Sequence, residues 1–343
     1  MVKRIDKTLE RIEKIQETVE SPKPVIITQN RPQGIPSPDI SKIPPAMYKE
    51  KALSTKGKLS VPAVLHIRDY MGTDVMELGM ANTDEFLPNL LKIVKSVVWE
   101  DIDPFLLHEK ELEEILVFIY GSNWDTVLQD YAYIPTEEEW AGFTQEQKDR
   151  YENDEMPLYC NVPIANIQST PISNDFEEPM EYEKDGIIYR MRLPRVGDSV
   201  VAKEYADKQT IAEREDLMPI ILADKREEDL TEYITDKKGN VVPKFPPKDI
   251  DRYLKYTEKY VNLLKKAAQS RFILSVGDTV PESIEEGISL IDEIPAKIWM
   301  EYSKDVDALK FGMNPEVEVI SPITKKATAR RFRFQLMDLL PTV

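Results

Sequence analysis

The sequence predicts an α+β fold that is predominantly helical, with two small antiparallel β-hairpins and an extended N-terminal arm. Three observations carry this. Apolar residues recur at helical spacing over several stretches, two alternating segments carry hairpin signals, and seven prolines crowd residues 21–45. Helices and strands are not interleaved as β-α-β units, which separates the class from α/β. With 343 residues, 41% of them hydrophobic, the chain can build one large domain or two ordinary ones.

Residues 1–20 read as one amphipathic helix. Val2, Ile5, Leu9, Ile12, Gln16 and Val19 step by three and four in alternation, the seam of a coiled coil. A helix this short is marginal alone, because nucleating its first turn costs more than a few turns return. Its own domain or another chain can cover the seam, and the stretch that follows favours another chain. That stretch is an arm or linker over 21–58 holding Pro22, Pro24, Pro32, Pro36, Pro38, Pro44 and Pro45. Proline fixes φ and has no backbone donor, so the segment is neither helix nor central strand.

A first α/β region is expected over 59–133. Val64–Arg68 reads as a strand. Helices follow over 73–81, 84–98 and 109–120, the last closed by Gly121 at the C′ position. Trp99, Trp124, Tyr131 and Tyr133 are expected as core or interface anchors.

A mostly helical region is expected over 134–310. It opens with two capping boxes, Thr136 with Glu139 and Thr144 with Gln147, and continues as an extended stretch over 158–172. Asp185-Gly186 is a two-residue hairpin signal, because a type I′ turn needs positive φ at both positions. Its register sets Met180 opposite Met191, Tyr182 opposite Tyr189 and Glu181 opposite Arg190, which then pair. Ile187, Tyr189, Met191 and Leu193 share one face, Arg190 and Arg192 the other. Helices are expected over 198–214, capped by Asp198 or Ser199, and over 217–224, 248–275, 281–292 and 295–310, with a break at 239–247. A second hairpin occupies 311–343, its strands being Val317–Ile320 and Arg331–Leu336.

Composition narrows the function. One cysteine, Cys160, forms no internal disulfide or thiolate cluster, and two histidines cannot make a His-rich metal site. No cofactor is expected. No apolar run approaches the roughly 18–20 residues that span a bilayer, and the charged start lacks a signal peptide. A soluble protein in a reducing compartment, without a membrane partner, is the expectation. The net charge is −17, but residues 1–60 carry +5 and residues 321–343 carry +4, which leaves −26 on the body. Such a body repels phosphate backbones, and its basic ends suit docking between protein subunits. Nucleotide loops, nucleophile elbows and zinc-protease motifs are missing from the sequence. Glu113-Glu114 and Glu285-Glu286 are adjacent pairs that face different sides of a helix, so neither forms a dyad. A non-enzyme is expected.

Two longer stretches and a short one carry a resemblance. Phe311-Gly-Met-Asn-Pro-Glu-Val-Glu-Val-Ile-Ser-Pro-Ile-Thr324 resembles the C-terminal hairpin of the T-even-type bacteriophage baseplate hub subunit family. Many members carry a C-P-x-C knuckle at that bend; Ser321 and Thr324 stand at those positions here, so no zinc would be held. Asp103-Pro104-Phe105-Leu106-Leu107, Leu112 and Tyr120-Gly121 are similar to the family's D-P-x-x-L segment, helix and terminal Y-G, although Phe118-Ile119 replaces the usual arginine. Ser54-Thr55-Lys56-Gly57 is similar to its S-K-G lead-in. Together these cover about a third of the chain. The resemblance implies a structural subunit of a contractile phage or phage-like tail, made in the bacterial cytoplasm and placed in the virion at or near the baseplate hub, with other tail subunits as partners.

The residues expected at interfaces are Val2, Ile5, Leu9, Ile12 and Val19 on the first helix, and Arg330, Arg331, Phe332, Arg333 and Phe334 on the returning strand. Two other roles compete: a tail assembly chaperone that leaves the particle, and a nucleic-acid module. The latter would use Lys325, Lys326, Arg330, Arg331 and Arg333 with Phe332 and Phe334 as stacking rings. Strand alternation, with Phe inward and Arg outward, explains the same pattern.

Overall fold

The computed structural model describes residues 46–71, 74, 86–123, 126–226, 228–235 and 240–332. The expected helices over 1–20 and 73–81 and the proline-rich 21–45 lie outside them, apart from Asp74, as do Trp124 and 333–343. Helices and small antiparallel sheets are mixed, so the α+β class holds. The described residues form six such sheets, where two hairpins were expected.

The chain enters on β1 (Tyr48–Ala52), which pairs antiparallel with β2 (Val64–Arg68), Tyr48 opposite Arg68 and Ala52 opposite Val64. Residues 48–52 therefore belong to a sheet, not to a linker. Helix α1 (Phe86–Val97) buries Leu90, Leu91, Ile93, Val94 and Val97, the stripe its spacing requires. Asp103 caps a short 3-10 turn, Pro104–Leu106, by accepting from the Phe105 N–H at 3.0 Å. Helix α2 (Glu109–Asn123) follows and buries Leu112, Ile115, Leu116, Val117 and Ile119. It runs two residues past Gly121, which is helical rather than a C′ residue; Ile164 packs 3.3 Å from where its Cβ would stand.

Strand β3 (Val127–Ala132) pairs with β4 (Tyr159–Pro163), and between them sit α3 (Glu137–Ala141) and α4 (Gln145–Glu152). Both expected capping boxes are formed. After β5 (Ser169–Thr170) comes the hairpin of β6 (Met180–Lys184) and β7 (Ile187–Met191). Its register is the expected one, with Asp185 and Gly186 at φ 54° and 78° and Arg190 bonded to Glu181 at 2.7 Å. Tyr189, Met191 and Leu193 are buried, while Ile187, next to the turn, is 42% exposed.

Three boundaries differ from expectation. One helix, α5 (Val196–Asp224), spans both 198–214 and 217–224, with Pro219 inside it. Asp198 is not its cap residue but accepts from the Arg195 N–H at 2.7 Å. Proline in a helix costs about 3 kcal/mol; burial of Leu217 and Ile220 against Tyr253 and Tyr256 of α6 (Pro247–Ser270) offsets it. The two helices run antiparallel, with the Tyr253 hydroxyl on Asp224 at 2.6 Å and Tyr260 on Asp207 at 3.1 Å. Between them lies a small unexpected hairpin, β8 (Tyr233–Thr235) with β9 (Val241–Pro243). Helix α6 ends at Ser270 rather than 275, because Ile273–Val276 becomes β10 and fills the free edge of β7, giving the order β10-β7-β6.

Helices α7 (Ile284–Ile291) and α8 (Ala296–Ala308) cover that sheet through Leu290, Ile298 and Tyr302. Then β11 (Gly312–Met313) pairs with β5, and β12 (Glu316–Ile320) pairs with β13 (Ala327–Arg331). The returning strand therefore begins four residues before the expected Arg331. The largest core joins both ends of the described chain: Leu65 and Ile67 of β2, α1, α2, Leu128, Val162, Val317, Val319 and Phe332.

Candidate functional site

The interface residues expected from sequence divide sharply. Val2, Ile5, Leu9, Ile12, Val19, Arg333 and Phe334 lie outside the described residues. Phe332 is 6% exposed, edge-on to Tyr131 at 5.8 Å, and its N–H donates to the Pro315 carbonyl at 2.7 Å. That ring is spent inside the fold, where it can neither dock a partner nor stack on a base. Arg330 shares the parity of Phe332 and so turns inward as well. Arg331, opposite Glu316, is exposed.

Arg330 reaches a junction centred on Glu139, at the N3 position of α3. One carboxylate oxygen accepts from the Ser321 hydroxyl at 2.5 Å; the other accepts from the Thr136 N–H at 2.9 Å, the Tyr133 hydroxyl at 2.8 Å and Arg330 at 3.2 Å. Thr324 adds a longer contact at 3.4 Å, and the Arg330 guanidinium lies over the Tyr133 ring at 5.2 Å. Burial pushes the Glu139 carboxyl up, but the donors, Ser321 first, outweigh it and hold it at about 2. The two positions that the resemblance aligns with knuckle cysteines, Ser321 and Thr324, thus grip a carboxylate. A capping box was legible in the sequence; its second role as the hairpin's anchor was not, since Glu139 and Ser321 are 182 residues apart.

A second polar cluster surrounds the start of α2. Glu111 and Glu114, three apart and buried, accept from loop groups: the Thr55 hydroxyl at 2.6 Å and His108 N–H at 2.9 Å on Glu111, the Ser54 N–H at 2.9 Å on Glu114. Sequence reading weighed the pair Glu113-Glu114 and missed this one. The signal was present in the i, i+3 spacing of two acids flanking Leu112 and Ile115. Burial raises the Glu111 carboxyl despite those donors, and raises half-exposed Glu113 to about 7. His108 accepts from the Lys110 N–H through Nδ1 at 3.1 Å and lies tilted against the Phe311 ring, centroids 5.0 Å apart. Burial first, then Arg195 and Lys110, drop this imidazole to about 3, so it stays neutral. Lys110 lies 4.4 Å over the Phe311 ring, and its side chain closes on Gly312, whose φ is 87°. Nearby, Arg195 pairs with Glu178, and Arg192 binds Asp198 through two contacts of 2.9 and 2.6 Å. In both clusters carboxylates hold segments together, while Glu114 Oε1 is buried without a hydrogen-bond partner.

The third feature is an open cleft of 520 Å³ beside α3 and α4. Ile134, Pro135, Trp140 and Tyr151 form its apolar side, and Glu137, Glu152 and Asp154 its rim. Ile134 is 71% exposed. Trp140 packs edge-on against Tyr151 with centroids 5.6 Å apart, which fixes both rings.

No helix among the described residues is long and apolar enough to cross a membrane. Comparison of the chain with family models, curated proteins and solved structures gives no match.

Proposed function

We propose that this protein is a structural subunit of a contractile phage or phage-like tail, acting in or near the baseplate hub through protein contacts. In this reading the 1–20 helix pairs with another chain, and the role is architectural rather than catalytic. One observation supports it above the others. The three stretches that carry the resemblance, far apart in sequence, meet around α2: Ser54 and Thr55 on Glu114 and Glu111, His108 on Phe311, and Lys110 on Gly312. The α2 residues in these contacts lie between the matched positions of the 103–121 stretch, so the three stretches pack as one unit, which supports the reading. Glu139 and Glu111 also spend their carboxylates joining segments distant in sequence, which suits a scaffold.

Mass spectrometry of gradient-purified tails from particles encoding the chain tests this. The expected result is the chain at fixed stoichiometry with baseplate components. Its presence in assembly intermediates alone would mean a chaperone that departs, and absence from both would end the tail assignment.

A further inference from the structure

The cleft beside α3 and α4 has the chemistry of a polyproline receptor. Such receptors present fixed aromatic rings against which proline rings pack, with acids at the rim that choose basic ligands. Trp140 and Tyr151 supply the rings, held edge to face, with Pro135 and Ile134 beside them. Around them, residues 134–157 hold eight acids against Lys148 and Arg150. Of those acids, Glu139 alone is buried in the anchor of the C-terminal hairpin; Glu137, Glu152 and Asp154 face the cleft and are exposed.

This same sequence contains a matching ligand. Residues 21–45 carry seven prolines, and Lys23, Arg31 and Lys42 against Asp39 alone. In a polyproline II helix of three residues per turn, Pro32, Ile35 and Pro38 fall on one side, with Arg31 next to them. We propose that the cleft receives the 21–45 stretch of a second copy of this chain. Charge complementarity is the ground for this occupant, and the isotope labels below separate a second copy from the arm of the same chain. Bodies of −26 repel each other, and the sequence keeps its basic excess at its ends, so a contact between copies gains most by laying a basic end on an acidic surface. Arm exchange of this kind needs no tail around it.

The test uses the full chain with a benzophenone amino acid at Ile134, an exposed position on the cleft wall. Normal and isotope-heavy copies are mixed, illuminated, digested and mapped by mass spectrometry. The expected result is cross-links from position 134 to residues 21–45 in mixed-isotope pairs. Glu137→Lys with Glu152→Lys should cut their yield about fivefold, because rim charges act at short range, while leaving the thermal midpoint in place. Cross-links to 21–45 confined to single-isotope chains would mean that each arm stays with its own copy, and would overturn the proposal. Cross-links only to other segments, none at all, or a yield indifferent to the charge reversal would overturn it equally.

Discussion

At the scale of single residues, Glu139 ties α3 and Tyr133 to the C-terminal hairpin. Removing its charge leaves Arg330 and the Ser321 hydroxyl with a weaker acceptor, so Glu139→Gln should cost about 1–3 kcal/mol in urea unfolding at neutral pH. The folded carboxyl sits at about 2 against an ordinary 4.5. Its stabilisation is therefore complete above pH 4.5 and is lost as pH falls through 2. The stability gap between the parent and the variant should close over that window, and a constant gap would deny Glu139 its charge-dependent role. His108 acts over a higher range. Its folded value of about 3 lies below the ordinary 6.5, so the unfolded chain takes up the proton first and stability falls as pH drops below 6.5. Glu113, raised to about 7, works the other way between 4.5 and 7. The comparison with His108→Gln isolates the imidazole: the melting temperature should decline less steeply from pH 6.5 to 4 in the variant, and equal slopes would refute a neutral, buried ring.

At the scale of elements, two glycines separate close packing from conformational need. A Cβ on Gly197, in the first turn of α5, would stand 2.7 Å from the Phe105 carbonyl oxygen, a backbone atom that cannot step aside. Gly197→Ala should cost about 1–3 kcal/mol by overpacking. A Cβ on Gly121 meets only side-chain atoms of Ile164, at 3.3 Å and beyond. Alanine there gains up to about 1 kcal/mol of helix propensity, so Gly121→Ala should be neutral or stabilising. Thermal unfolding followed by circular dichroism checks both, and similar losses would mean that α5 does not dock as closely on the 3-10 turn. Elements with a strong local signal were legible in advance: the stripe of α1, both capping boxes, and the Asp185-Gly186 turn with its register. Short strands were not. β1, β3, β8 and β9 have partly exposed residues in no clean alternation, and Ile273–Val276 continues a helical apolar pattern until the free edge of β7 claims it.

At the scale of the whole molecule, charge asymmetry and the proposed pairing of the first helix lead to one expectation. Leu9→Asp with Ile12→Asp places charges on the Val2–Val19 seam, which should lower the sedimentation coefficient of the associated protein while the melting of residues 46–332 stays unchanged. An unchanged sedimentation coefficient would sink the pairing. The described body itself is held by one large core that spans β2 to Phe332, with smaller clusters under the three-stranded sheet and between α5 and α6. Burying Val317, Val319 and Phe332 in that core contributes roughly 1.5–3 kcal/mol for each side chain and ties the hairpin of β12 and β13 to the body.

Sequence alone determined the class, the main helices, the β6–β7 hairpin and the uneven charge, because each depends on residues within a few positions of one another. Tertiary structure decided what Phe332, Arg330 and the pair Glu111 and Glu114 are for. Their partners lie up to about two hundred residues away, and local periodicity carries no information about which distant group will meet a side chain. Strand alternation set the parity of Arg330, but only the presence of Glu139 beneath the hairpin made inward the favourable direction for a charge.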